Sequence, residues 1–360
     1  MKKTKQKLLK LVLAVTLSTL PITLTPAVAN ASFLGALITT GIETIQEKNT
    51  LDRYNNTEEG RQEWFATMKQ SMGVNGDARL NARLDNIMNN LTSAVGKVDP
   101  TINKQPYNYF LNPDTSFNAA CSLGHNMTVN TGIFSLLGTD DEIAVVLAHE
   151  MAHGQKNHVI KGFEKSILPI LAQSAVAGSG NTIASLGTNV LVNYTEKVHI
   201  TKPQEWEADN LAFDYLAASN YNLGATAAVW QKVMEQYSAN ENSFSGDIFS
   251  PSDHPTHIER RDSYAKKINK YANSKVTVAD GQVQINGKTL VTPVATASMS
   301  GAERSYFVAG NLAKIYHDNK TIPSAAVSNG TVYVGNQAIM TPVAGDTSAS
   351  ELASIFNSIK

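Results

Sequence analysis

The chain has 360 residues, of which 42% are hydrophobic and 17% are charged, so its composition excludes a disordered or coiled-coil protein and allows more than one domain. Five of its 30 basic residues lie in residues 1–31, and without them 25 basic residues face 31 acidic ones, a net charge of −6. No basic patch remains that would indicate nucleic acid or an anionic membrane surface as a partner.

Residues 1–31 have the pattern of a cleaved export signal. Five lysines surround the start of a mostly apolar run at residues 8–24, and Ala-Asn-Ala at residues 29–31 is a small-x-small cleavage site. Cleavage after Ala29 fits nearly as well. We therefore predict that the chain is cleaved near residue 31 and is exported, to the periplasm or out of the cell. Cys121 is the only cysteine, which excludes an internal disulfide, and we expect it to be a small buried residue.

The first hundred mature residues predict helices followed by strands. Helical spacing occurs at residues 33–48, 61–72 and 78–95, with a polar linker at residues 49–60. Strand-like residues occur at 107–111 and 127–131, with a turn at residues 112–114, so we predict a β-hairpin-like unit.

Residues 147–153, Leu-Ala-His-Glu-Met-Ala-His, place two histidines four positions apart, with a glutamate between them. On a helix, positions i and i+4 share one face, so His149 and His153 can bind one metal ion together. Glu150, beside the first histidine, can reach a water molecule at that metal. So short a motif also arises by chance in ordinary helices, and it must therefore be completed elsewhere.

The neighbouring sequence predicts a buried helix around this motif. Thr139 and Glu142 have the spacing of a capping box, and an apolar run follows at residues 143–148. We expect this helix to continue to about Lys161, with Gly162 ending it. The apolar residues 164–193 predict a packed helical hairpin, because Gly-Ser-Gly-Asn at residues 178–181 leaves no segment long enough to span a membrane.

A catalytic zinc site needs a third protein ligand. The longer histidine pattern requires glycine at 156 and histidine at 159, where Lys156 and Val159 stand, and His158 is one position short. The alternative is Glu205 on a later helix. Asp209, one turn further on, can accept a hydrogen bond from a ligand histidine and so fix its tautomer. From spacing alone, a surface helix with scattered acidic residues remains equally open.

The remaining chain contains a loop, a helix and a repeat. Residues 238–250 are polar and could form a lid, and Asp-His-Pro at residues 253–255 opens another helix. Residues 281–295 match residues 330–344 at a constant offset of 49, each copy showing two strands and a helical run. We predict two ββα units, residues 274–320 and 321–360, forming a C-terminal module with a binding or structural role.

Three ordered motifs now suggest a family. The motifs are His-Glu-Met-Ala-His at 149–153, Glu-Trp-Glu-Ala-Asp at 205–209, and His254-Pro255 followed by Arg260. Together they resemble peptidase family M48, the HtpX and CAAX-prenyl-protease family of zinc metallopeptidases. Within that family the resemblance is to the soluble periplasmic branch. The resemblance covers about residues 60–272. It departs from the family at Thr-Lys (201–202) and Gly-His (124–125), which affects substrate preference more than the metal site.

The resemblance implies an α+β protein: a mainly helical gluzincin metallopeptidase domain at residues 32–273, with a small sheet, followed by the module at residues 274–360. It implies one zinc ion per chain, with His149, His153 and Glu205 as ligands and Glu150 as general base. The strand at residues 127–131 is the expected edge at which an extended substrate lies.

Two further residues acquire roles from the same resemblance. His254 either donates a hydrogen bond to the oxyanion or closes the site as a fourth ligand in a resting form. Arg260 is expected to pair with a carboxylate near the site, alongside Asp209.

The predicted function is a zinc-dependent endopeptidase that acts on exported or misfolded envelope proteins. Once matured it is not expected to be an integral membrane protein. The alternative is a zinc-stabilised chaperone or assembly factor that binds envelope proteins with little proteolysis. If the module binds an envelope partner, removing residues 274–360 should preserve peptide cleavage and abolish localisation.

Overall fold

The computed structural model describes residues 48–165, 200–237 and 255–360. Several predictions lie outside these residues: the signal segment, the loop at 238–250 and His254. The predicted hairpin at 164–193 is described only up to residue 165, and the predicted helix at 33–48 only at its last residue. Within the described ranges, no helix combines the length and the apolar character needed to cross a membrane. Helices dominate and the sheets are small, so the predicted mainly helical α+β fold is confirmed.

Helices precede the first sheet. The chain is helical at residues 48–56, then forms α1 (Glu58–Met72), α2 (Ala78–Val98) and a 3-10 turn (Pro100–Asn103). The predicted polar linker at residues 49–60 is therefore wrong. Leu51 and Tyr54, one turn apart, are buried against Trp64 of α1, so tertiary packing outweighs the polar composition of this segment.

The first sheet has the order β1-β3-β2, with β1 (Asn108–Asn112) parallel to β3 (Asn126–Asn130) and β2 (Ala119–Ser122) antiparallel to β3. The predicted hairpin is therefore wrong, and so is the assignment of residues 127–131 to the sheet edge, because β3 is the central strand. The residues of β2 are Ala, Ala, Cys and Ser, which lack the β-branched and aromatic types that favour strands.

Among the residues that the structure describes, the labelled helices after the sheet are α3 (Gly132–Leu136), α4 (Asp140–Gln155), α5 (Lys202–Ala217), α6 (Ala225–Tyr237) and α7 (His257–Tyr271). The helix α4 packs against α2, α5, α6 and β2. It ends at Gln155 and not near Lys161, because Asn157 adopts a left-handed conformation with φ 53°. Asparagine tolerates that conformation better than most residues. A separate helix occupies residues 158–165, so Gly162 does not end α4.

Each C-terminal unit contains three strands and a helix. The first has β4 (Val276–Ala279), β5 (Gln282–Ile285), β6 (Lys288–Val291) and α8 (Gly301–Asp318). The second has β7 (Ala325–Ser328), β8 (Thr331–Val334), β9 (Gln337–Met340) and α9 (Ala349–Ile359). The predicted ββα pattern therefore lacks the first strand of each unit. The strands β4 and β7 share little sequence, so the sequence match between the two units begins only at the turn after each of them.

The two units complete each other. The first helix, α8, packs against β9 of the second unit, and α9 packs against β6 of the first. Side chains of both units, among them Val291 and Phe356, surround one void of about 10 Å³.

The C-terminal units share one hydrophobic core with the preceding helices. This core runs from α2 through α4 to α7 and into both units. At the junction the backbones touch: a Cβ atom on Gly224 would lie 1.9 Å from the carbonyl oxygen of Tyr306, and one on Gly310 would lie 2.2 Å from the Gly224 nitrogen. The side-chain amide of Asn222 also donates to the Phe307 carbonyl oxygen at 3.0 Å.

A buried ion cluster also joins α4, α6 and α8. The Lys232 ammonium of α6 lies 2.6 Å from a carboxylate oxygen of Glu142 on α4 and 3.4 Å from one of Glu303 on α8. All three side chains are buried. Burial raises the pKa of Glu303 to about 7, although the charge of Lys232 opposes the shift. The cluster therefore couples the start of α4 to the first C-terminal unit.

Candidate metal centre

The helix α4 begins with the predicted capping box. The Glu142 N–H donates to the Thr139 hydroxyl at 3.2 Å, and the Thr139 N–H donates to the Glu142 carboxylate at 2.9 Å. All residues of α4 from Glu142 to Gly154 are buried. The histidine motif therefore lies inside the protein, on a helix whose start is fixed by hydrogen bonds.

His149 and His153 point the same ring nitrogen at one place. Their Nε2 atoms are 3.0 Å apart, and Glu205 of α5 places its two carboxylate oxygens 3.4 Å from these nitrogens, one oxygen per histidine. The three ligand atoms lie within 4.8 Å of one another. Four-coordinate ligands about 2.0–2.1 Å from zinc are separated by about 3.3 Å, so this set of two imidazoles and a carboxylate fits zinc.

Asp209 lies one turn after Glu205 and 3.0 Å from Nδ1 of His149. The Arg260 guanidinium and the Tyr264 hydroxyl donate to its two oxygens. Burial alone would raise the pKa of Asp209, but the charge of Arg260 and the hydrogen bonds from His149 and Arg260 hold it below its usual range. The carboxylate can then accept the Nδ1 proton of His149, which leaves the Nε2 lone pair for a metal.

Arg260 is itself held by an aromatic ring. Its guanidinium carbon lies 3.8 Å from the ring centroid of Trp230 on α6, a cation–π contact. The His257 ring stacks on the same indole at 5.5 Å. Burial and the charge of Arg260 lower the pKa of His257 to about 4, so this ring is neutral near pH 7. Sequence reasoning did not identify Trp230.

Glu150 is buried beside the two histidines of the motif, and a hydrogen bond from β2 fixes its carboxylate. One of its carboxylate oxygens accepts the Cys121 N–H at 3.0 Å. Burial raises the pKa of Glu150, although His149 and His153 oppose this shift. The helix approaches β2 so closely that a Cβ atom on Gly154 would lie 2.9 Å from the Cys121 sulfur. The predicted burial of Cys121 is confirmed, and its backbone is the part that serves the site.

His153 has an outer partner that the sequence did not reveal. Its Nδ1 lies 3.0 Å from Nδ1 of His158, whose Nε2 lies 3.1 Å from a carboxylate oxygen of Glu207. His158, which is one position short of the longer histidine pattern, contacts His153 on the ring nitrogen that faces away from His149 and Glu205. Burial and the neighbouring His153 lower the pKa of His158 to about 4. Residue spacing gives no signal for this contact, because the turn at Asn157 creates it.

Comparisons with known proteins place the chain in a family. Residues 78–267 match the model described as Peptidase family M48. The metalloprotease LoiP of Escherichia coli is 27% identical over 174 residues, 48% of this chain and 69% of that protein.

Two further relatives are a bacterial protein and a mitochondrial protein of yeast. A beta-barrel assembly-enhancing protease of Yersinia pestis is 24% identical over 185 residues, 47% of this chain and 36% of that protein. A mitochondrial metalloendopeptidase of Saccharomyces cerevisiae is 24% identical over 161 residues, 43% of this chain and 46% of that protein. The chain thus spans less than half of these two relatives. The family model covers more than half of the chain, and the protein therefore belongs to peptidase family M48 and is a metalloendopeptidase.

Proposed function

We propose that the chain is a zinc-dependent endopeptidase that hydrolyses peptide bonds in exported or misfolded envelope proteins, with one zinc ion per chain. The observation that carries the proposal is the convergence of His149, His153 and Glu205, which would hold the metal, with Glu150 buried beside them. The names of two relatives, a metalloprotease and a beta-barrel assembly-enhancing protease, support the substrate class.

Zinc, when bound, supplies Lewis acidity, which polarises a scissile carbonyl and lowers the pKa of water. The residues of the chain transfer the proton and hold the reacting groups in position. Glu150 accepts the proton of the attacking water and delivers it to the leaving amine. The Cys121 N–H restricts the orientation of that carboxylate through one of its oxygens. Asp209 and Arg260 hold the His149 ring in place.

The strand β2 replaces β3 as the proposed substrate-pairing edge. It pairs with β3 on one side, and the Cys121 N–H on its other side points to Glu150. An extended peptide lying antiparallel or parallel to β2 would therefore pass beside the base.

His254 remains the proposed oxyanion donor or resting fourth ligand, on the strength of the His254-Pro255 motif. Such a donor contributes on the order of 3 kcal/mol to transition-state stabilisation.

The organisation and location of the chain complete the proposal. Residues 1–31 would be removed on export, leaving a metallopeptidase region at residues 32–273 and the two repeat units at residues 274–360, in the periplasm or outside the cell. The units would offer a surface for an envelope partner.

The alternative function, a zinc-stabilised chaperone, needs the same ligands but has no use for a base at Glu150. The burial of this carboxylate beside the ligands therefore favours hydrolysis.

The two functions are separated by the variant Glu150→Gln in the mature chain. We expect zinc content and thermal stability to be unchanged and cleavage of labelled casein to fall at least about 100-fold, the lower end for loss of a general base. Cleavage by the parent protein should stop when a chelator is added. The control is Glu59→Gln, an exposed residue of α1, which should cleave normally. Casein cleavage by Glu150→Gln at the parent rate would exclude Glu150 as the base.

A further inference from the structure

A second cavity lies away from the metal centre, at the junction with the C-terminal units. Its volume is about 350 Å³, and it lies between the loop that follows α5, the helix α8 and the strand β9. The first turn of α4 contributes Asp141 to its wall. Since a helix rises 1.5 Å per residue, Asp141 is about 12 Å along the axis from His149, so the cavity is separate from the metal site.

The walls of this cavity are fixed by an amide network. The Asn222 side chain donates to Asn311 Oδ1 at 2.9 Å, and Asn311 donates to the Ile339 carbonyl oxygen at 3.0 Å. Gln337 donates to Asn311 Oδ1 at 3.3 Å. The loop, α8 and β9 are thus tied together by protein groups alone, and the cavity is preformed, as ligand sites usually are.

Two opposite charges remain on the lining after these bonds are made. One oxygen of Asp141 accepts the backbone N–H of Asn222 at 2.8 Å, and within the described ranges no cation lies at ion-pair distance from this carboxylate. Burial raises the pKa of Asp141. Lys314 of α8 is exposed, and its ammonium likewise has no carboxylate at ion-pair distance among the residues that the structure describes.

We propose that this cavity binds a small zwitterion of the amino-acid or dipeptide class, with its ammonium group on Asp141 and its carboxylate on Lys314. A partly desolvated carboxylate without a cation is stabilised by a cationic ligand group, and the lysine selects an anionic group in the same way.

Other ligand classes fit the lining less well. A phosphate or other simple anion would meet the Asp141 carboxylate, and a metal ion would meet the ammonium of Lys314. The volume lies at the lower end of the range for small-molecule sites, about 300–1,000 Å³, which suits a dipeptide and excludes a long chain. The carboxylate, the ammonium and the amide side chains among the lining residues do not suit a lipid.

The test is calorimetric titration of the mature, zinc-loaded protein with alanyl-alanine, and with the same dipeptide carrying an N-terminal acetyl group or a C-terminal amide. The free dipeptide should bind in a saturable manner, and each blocked form, which lacks one charge, should bind at least tenfold more weakly. Equal binding of the blocked forms, or no saturable binding of the free dipeptide, would overturn the proposal.

Matched variants locate the binding. Asp141→Asn keeps an oxygen for the Asn222 N–H, and Lys314→Met keeps the length of the side chain; each should weaken dipeptide binding at least tenfold. Lys320→Met, at an exposed lysine of the same region, should bind like the parent. Unchanged affinity in the two cavity variants would refute the site.

A dipeptide is also a peptidase product, so the titration is repeated on chelated protein. Binding that persists without zinc supports the cavity, whereas binding lost with zinc would place the ligand at the metal centre and contradict the inference. Because this site does not use the metal ligands, its failure would leave the proposed hydrolase function intact.

Discussion

Removing the cation of the buried ion cluster tests how α4, the helix that carries the histidine motif, is held. The variant Lys232→Met leaves the buried carboxylates of Glu142 and Glu303 without their ammonium partner. Breaking a buried pair in this way typically costs about 3–5 kcal/mol of unfolding free energy. A carboxylate can escape by taking up a proton, which at pH 7 costs a glutamic acid of ordinary pKa about 3.7 kcal/mol. Glu303, with a pKa of about 7, is already half protonated there. We therefore expect a loss of about 3–4 kcal/mol at pH 7.

The loss should depend on pH. Because each pH unit changes the cost of protonation by about 1.4 kcal/mol, the loss should shrink to about 1 kcal/mol at pH 5. In the parent protein, Glu303 also makes the free energy of unfolding fall as the pH rises. Its folded pKa lies above the unfolded value, so its contribution to stability is fully present at acid pH and is lost as the pH rises through about 7.

The assay is urea unfolding of parent and variant at pH 5 and pH 7, followed by circular dichroism. The control is Lys266→Met, an exposed lysine of α7, which should change stability by less than about 0.5 kcal/mol. A loss below 1 kcal/mol at pH 7, or a loss equal at both pH values, would refute the assignment of a buried, charged cluster.

Two further predictions concern the metal site and the C-terminal units. Trp230→Leu removes the ring face under Arg260, so zinc affinity should fall about tenfold when it is measured by competition with a chelator. Trp230→Phe keeps an aromatic ring and should keep most of the zinc affinity. Equal losses of affinity in both variants would show that the ring only fills space. Deleting residues 274–360 should abolish cooperative unfolding and zinc binding, because the core is shared across that boundary. A truncated chain that folds and cleaves casein would contradict this expectation and favour a detachable module.

The part of the site that the sequence predicts is the part that depends on local spacing. His149, Glu150 and His153 follow from one helical turn, and the capping box at Thr139 from a spacing of three. Glu205 required the resemblance to a family, because it lies 52 positions after His153 and spacing alone left a surface helix open.

What the sequence did not reveal depends on tertiary contacts. His158 reaches His153 only because Asn157 turns the chain, and Trp230 reaches Arg260 only because α6 packs against α7. The strand β2 was missed because its residue types are poor strand formers, although its backbone fixes Glu150. Asp-Gly at 280–281 and Asn-Gly at 329–330, with positive φ at both residues, are the hairpin turns that precede β5 and β8, and these dipeptides are local signals for a hairpin.

The exchange of packing between the two repeat units bears on their origin. Since α8 covers a strand of the second unit and α9 covers a strand of the first, either unit taken by itself leaves an apolar surface open. A lone ancestral copy could close that surface only by associating with an identical copy, as a homodimer. Duplication in tandem would have converted that association into a covalent one and left each half free to diverge.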